Sequence, residues 1–192
     1  MGSMRPHGSW QNHDEGVHDM SITVAKFLDV SSGLQPGQFT VGSHSTIESL
    51  DALDPTYKQL LDEPIACVLG LIGNDGRVNM TPMWFSYEGS QVLLNVAAHR
   101  KKVEWIRNNE KLSFLLVNPK NAYHWVSIKC TIAREISEDD PVEGPRVTEH
   151  VDRIWTKYTS SDPPYGLRDP SIDERRILFE CDVDRVATFG TP

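Results

Sequence analysis

The densest chemical signal in the chain is His99-Arg100-Lys101-Lys102-Val103-Glu104-Trp105-Ile106-Arg107-Asn108-Asn109, a cationic run in a protein of net charge −8. It falls where an apolar strand gives way to a helical period. The first amides of a helix carry partial positive charge, so cations placed there oppose the dipole and suit an anionic ligand such as a phosphate. The same residues also suit a solvated basic helix face tied by an Arg100–Glu104 pair. A second signal is Asn79-Met80-Thr81-Pro82-Met83-Trp84-Phe85. A strand bent by proline, with a threonine and a large aromatic, offers backbone amides and a flat wall to a planar ring; an edge strand beside a core tryptophan fits it as well. The third is Tyr123-His124-Trp125. Paired aromatics on a long strand pack a core or a dimer interface, and His124 is a candidate donor to a ring carbonyl or to substrate.

Other chemistries find no support. There is no GxSxG, no P-loop, no GxGxxG and no convincing Cys/His pair. Cys67, Cys130 and Cys181 are far apart, form no CxxC and lie in apolar runs, so they read as buried reduced thiols. His7, His13, His18, His44 and His150 show no ligand spacing and read as surface residues, and no metal site is expected.

The elements that must position these signals are short strands. Asp54-Pro55 opens a helix over residues 54–62, with Asp54 as its cap and Pro55 in its first turn; Pro64 ends it. Residues 65–72 form a buried strand, Gly73-Asn74-Asp75-Gly76 a hairpin turn, and residues 77–87 a return strand interrupted by Pro82. Residues 91–97 make a third strand, completing a meander. Residues 99–109 form a helix, 111–118 a strand, and 122–136 a long strand. An acidic loop then leads to a helix over 147–158 with Val147, Val151, Ile154 and Tyr158 on one stripe. After a Pro/Gly-rich loop over 159–170, residues 176–183 and 186–189 supply one or two last strands. This gives six or seven antiparallel strands, a mainly β (α+β) barrel with flanking helices. Residues 1–50 read as an extension, loop-like at Ser43-His44-Ser45-Thr46, that wraps the core or a partner; residues 51–192 form the domain. Gly2-Ser3 reads as a cloning remnant, with Met4 and Met20 as alternative starts.

At 192 residues with 39% hydrophobic content, the chain suits one domain with an extension. Its acidity argues against nucleic acid as a partner. No apolar run is long enough for a membrane span, and residues 1–20 contain no signal-peptide core. Pro6 stands where a myristoylation motif needs Ser or Thr. A cytoplasmic location is expected.

Taken in order, Gly76-Arg77-Val78-Asn79-Met80-Thr81-Pro82-Met83-Trp84, then Arg100-Lys101-Lys102 through Ile106 and Asn109, then an apolar strand over 112–117, resemble the pyridoxine 5′-phosphate oxidase-like FMN-binding split-barrel superfamily. The resemblance spans residues 64–190 and is closest to the branch that binds the deazaflavin coenzyme F420. It implies a split β-barrel homodimer with cofactor sites at the subunit interface. Arg100 and Lys102 would hold the cofactor phosphate, with Lys101 near it. Thr81, Pro82, Met83 and Trp84 would border the ring, beside Asn95 and Ala97, and Trp125 would come from the other subunit. The implied activity is F420-dependent hydride transfer to a small organic acceptor such as an activated C=C, nitro or quinone group, with Tyr123 and His124 as candidate proton donors. The alternatives are an FMN-dependent oxidoreductase of the same fold and a non-catalytic binder of flavin or another planar ligand. Glu110 stands where proline is common in the family, and the Arg-rich C-terminal motif of true pyridoxine phosphate oxidases is missing, which argues against a vitamin B6 substrate.

Overall fold

The computed structural model describes residues 21–27 and 41–192. The elements in order are β1 (Ile22–Phe27), β2 (Val41–Ile47), a single 3₁₀ turn, α1 (Pro55–Asp62), β3 (Cys67–Ile72), β4 (Val78–Met83), β5 (Ser86–Glu88), β6 (Gln91–Ala97), α2 (Lys101–Asn108), β7 (Lys111–Asn118), β8 (Asn121–Ser137), α3 (Gly144–Thr159) and β9 (Arg176–Phe189). The nine strands form one mixed sheet of split-barrel type, ordered β2-β1-β9-β8-β7-β3-β4, with β6 joining β9 and β5 joining β6.

Local chemistry accounts for most of these bounds. Asp54 caps α1 by accepting from the Thr56 amide at 2.9 Å, and Pro55 occupies the first turn, where a missing N–H costs nothing. Gly76 turns the β3–β4 hairpin at φ 77°, open to glycine without a Cβ penalty. Pro82 sits on β4, which pairs only with β3 and forms a sheet edge, so no ladder donor is lost. Strict alternation on β3 sends Cys67, Leu69 and Leu71 inward. They meet Leu112, Phe114 and Leu116 of β7 and Val126, Ile128 and Cys130 of β8 in the main core. β6 is buried along nearly its whole length because it has two covered faces. One face joins the main core; the other carries Leu93, which packs with Leu178, Ile136 and Val147 of α3.

Three expectations need correction, and the choice between one and two C-terminal strands is narrowed to one. Residues 43–46 are not loop: they lie in β2, antiparallel to β1, and β1 runs parallel to the end of β9. The expected meander breaks at Trp84-Phe85, and β6 pairs with β5 and β9 rather than with β4. β9 is one strand of 14 residues: its first half pairs with β6, its second half with β1, and β8 runs along both. Nine strands replace the six or seven expected because β1, β2 and β5 are short or weakly patterned. Among the described residues, no helix is long and apolar enough to cross a membrane.

Candidate functional site

The site is built where β4 and β6 end and α2 begins. The pairing of β6 with β9 sets Ala97 opposite Arg176, so α2 starts beside the start of β9. α3 and the segment after it close the remaining side. Between them lies a cavity of about 350 Å3, within the range of about 300–1,000 Å3 usual for small-molecule sites. Pro82, Met83 and Trp84 form one wall, and Asn95, Val96 and Ala97 the β6 side. Arg100 and Lys102 stand at the α2 end; Glu174 and Arg176 stand at the β9 end. Val151, Ile154, Tyr165 and Leu167 form the apolar cover.

The α2 end carries positive charge that no ion pair among the described residues neutralises, with Asp169 as the carboxylate nearby. Lys102 is half-buried in the first turn, its ammonium 3.2 Å from the Thr81 hydroxyl and 2.9 Å from the Met83 sulfur. Among the described residues it has no carboxylate partner, and neither does Arg100, the residue that caps α2 without a side-chain capping bond. Burial, and then the Arg100 charge, hold the Lys102 ammonium below the ordinary lysine value. Two cations beside a helix N-terminus, one of them partly desolvated, form an electrostatic arrangement that an anion completes. Lys101 points elsewhere: it is exposed and ion-paired with Glu104, which also accepts from Asn74. Glu104 therefore serves Lys101 and not Arg100.

The β9 end is instead charge-balanced and tightly bonded. The Arg176 guanidinium donates from Nε to Asn95 Oδ1 at 2.6 Å, from Nη1 to Glu174 Oε1 at 2.8 Å and from Nη2 to the Asn95 carbonyl at 3.3 Å. The Tyr165 ring lies 4.8 Å from its centre. Asn95 is fixed in turn by donating to the Val147 carbonyl at 3.0 Å. Behind this pair, Glu138 accepts from Arg168, from Thr148 and from the Arg176 amide, which ties the 160–175 segment to β8 and β9. Ion pairing by Arg168 holds the Glu138 carboxyl below its ordinary value against the opposing effect of burial.

Of the residues singled out from sequence, Pro82, Met83, Trp84, Asn95, Ala97, Arg100 and Lys102 line this one cavity, and Thr81 touches it through Lys102. Trp84 stacks on Tyr158 with centroids 5.1 Å apart and ring planes 8° from parallel. Tyr123, His124 and Trp125 lie away from it. His124 is fully buried at α1, with one ring nitrogen 3.0 Å from Asn118 Nδ2 and the other 2.9 Å from the Thr56 carbonyl, which removes it as a proton donor to this cavity. Tyr123 is 75% exposed. Trp125 faces outward, stacked on Phe189 and near Phe27. His150, expected at the surface, is wholly buried: Ser86 Oγ lies 2.8 Å from its Nε2, and its Nδ1 has no partner. The three thiols are buried and free. Sequence reasoning did not assign Glu174, Arg176 and Tyr165 to the site: the first two read as charges set directly before an apolar strand, and Tyr165 as part of a Pro-Tyr loop.

A single-sheet split barrel with a ligand-sized cavity between a cationic helix start and a charge-balanced polar side is the architecture of a small-molecule-binding domain. The chain belongs to the pyridoxamine 5′-phosphate oxidase family, which matches residues 53–190. A comparison with curated proteins finds no match. Among solved structures, one described as an F420 reductase is similar with a TM-score of 0.55 and 18% identity, over 70% of this chain and 98% of that one. HutZ, a heme storage protein from Vibrio cholerae, is similar at TM-score 0.52 and 11% identity, over 72% and 96%. A conserved hypothetical protein from Mycobacterium tuberculosis follows at 0.50 and 18%, over 68% and 80%. These likenesses are likenesses of fold.

Proposed function

We propose that the protein is a coenzyme F420-dependent oxidoreductase that transfers hydride between the deazaflavin and a small organic acceptor, an activated C=C, nitro or quinone group. The observation that carries this reading is the pair Arg100 and Lys102, two cations with no ion-paired carboxylate among the described residues, lining a cavity walled by Pro82, Met83 and Trp84. They suit a phosphate, and the exposed Arg100 adds charge for an anionic tail beyond it. When bound, the deazaflavin supplies the hydride chemistry, and no protein nucleophile is required. The chain's own residues would divide the work: Arg100 and Lys102 would hold the phosphate, Trp84 and Met83 would border the ring, and Val151, Ile154 and Leu167 would keep water from the cavity. Protons come from water or from Tyr123 of a second copy.

One observation favours FMN instead. Lys101, the third cation of the run, is neutralised by Glu104, which leaves less charge for a polyanionic tail. Parallel fluorescence titration with F420 and FMN separates the two. F420 binding alone supports the proposal, FMN preference supports the alternative, and binding of neither refutes a flavin-type function. A heme role would ask for an axial ligand, and among the described residues no histidine lines the cavity.

The proposal includes a homodimer. Val78, Met80 and Pro82 of β4 and Leu115 of β7 project from one outer face of the sheet, where Met80 is 70% exposed. Pro82 belongs both to that face and to the cavity wall, so a second copy seated there would border the ligand and bring up Trp125 and Tyr123. Such a patch is larger than isolated surface apolar residues require. Light scattering should give a dimer, and Met80→Asp with Leu115→Asp a folded monomer; a monomeric wild type refutes it. The buried free thiols suit a reducing, cytoplasmic setting.

A further inference from the structure

We propose that the β9 end of the cavity is a second recognition point, which takes an uncharged carbonyl oxygen through Arg176. The inference rests on reading this cavity as the ligand site. A guanidinium carries five N–H donors, and among the described residues Arg176 uses three, one on each nitrogen. One N–H on each terminal nitrogen is left, on a side chain that lines the cavity and is only 8% exposed. The fork is held rigid: Asn95 grips it from β6, Glu174 from its own segment, and Tyr165 covers it. Donors left over in a preorganised, dry position ask for an acceptor, because water reaches them poorly and leaving them bare is costly.

The acceptor should be neutral. Glu174 already balances Arg176, and Glu138 balances Arg168 behind it. An anion entering this end would meet the Glu174 carboxylate as well as the guanidinium, whereas a carbonyl gains the hydrogen bonds without that repulsion. The α2 end, with Arg100 and Lys102, attracts anions. The two groups thus take different partners, a phosphate the α2 cations and a carbonyl Arg176. That carbonyl belongs either to the cofactor ring or to the acceptor substrate.

The test titrates wild type and Arg176→Lys with FMN, with F420, and with 1,4-naphthoquinone against naphthalene, which lacks the carbonyls. Arg176→Lys keeps the charge opposite Glu174 and removes the fork. If the carbonyl is the substrate's, wild type should bind the quinone about tenfold tighter than naphthalene, the preference should vanish in the variant, and cofactor affinity should stand. If it is the ring's, cofactor affinity should fall about tenfold in the variant. Indifference of every ligand to the substitution overturns the inference. Failure of FMN and F420 to bind wild type would sink the proposed function alone, since the quinone arm still reads the Arg176 site. Should the variant not fold, guanidinium N–H resonances of 15N-arginine-labelled wild type provide the answer: the protected Arg176 signals shift on ligand addition if the inference holds and stay put if it fails.

Discussion

Replacing Lys102 by alanine separates a ligand-binding cation from a structural one. In the free protein the ammonium gives one hydrogen bond to Thr81 at 3.2 Å and a contact with the Met83 sulfur. Losing a neutral-acceptor bond of that kind costs about 1 kcal/mol. Against it, the substitution relieves the burial and Arg100 repulsion that hold the Lys102 proton affinity down. The two nearly offset, and the melting temperature of the free protein should move by less than about 3 °C. The bound state is different. A charge-assisted bond to phosphate contributes about 1.5–3 kcal/mol, so cofactor affinity should drop roughly 10- to 150-fold. Added salt should weaken wild-type binding more than that of the variant, because one screened cation is gone. Fluorescence titration at two salt concentrations, beside a melting curve without ligand, reads all three. Unchanged affinity, or a large loss of free-protein stability, would refute the reasoning.

Burial, helped by Arg153, Arg146 and Arg176, pushes His150 down to about 3, well below the ordinary histidine value near 6.5. The unfolded chain therefore binds a proton that the native state refuses: His150 costs nothing above pH 6.5, and stability falls below it at up to about 1.4 kcal/mol per pH unit. Urea unfolding between pH 7 and 5 should show that slope, shallower in His150→Asn; equal slopes would contradict the assignment. Gly190 has φ 74°, and a Cβ there would collide with the Tyr123 carbonyl, whereas Gly76 at φ 77° faces open space. Gly190→Ala should lower the melting temperature by more than about 5 °C, and Gly76→Ala by no more than about 4 °C; the reverse order would be a refutation.

What the sequence made legible is what local rules control. The α1 cap, the Gly76 hairpin, the alternation of β3 and the cationic start of α2 each depend on residues a few positions apart. Pro82 could be read as an edge proline before the edge was seen. What stayed hidden depends on distant partners. Whether β9 is one strand or two stayed open because Asp182, Asp184 and Arg185 interrupt its apolar run, and its three neighbours, β1, β6 and β8, make it continuous. Nothing near His150 in sequence says that Ser86 waits for it. Arg176 looks like an ordinary charged residue at a strand start until Asn95, 81 residues away, is brought alongside.

That long-range pairing also explains why the cavity has two different ends. β6 must leave the sheet after Ala97, and the chain turns at once into α2, so the Arg100 and Lys102 cations arrive without acidic neighbours on β6 to quench them. Arg176 arrives opposite Ala97 with Glu174 two residues behind it, already paired. The backbone thus sets an unbalanced charge and a balanced one on neighbouring elements that line a single cavity. A phosphate-bearing molecule placed the wrong way round would leave Lys102 unanswered and press its charge on Glu174. Orientation follows from that asymmetry, and it survives conservative changes in the apolar cover, Val151, Ile154 and Leu167, which shape the space without charge.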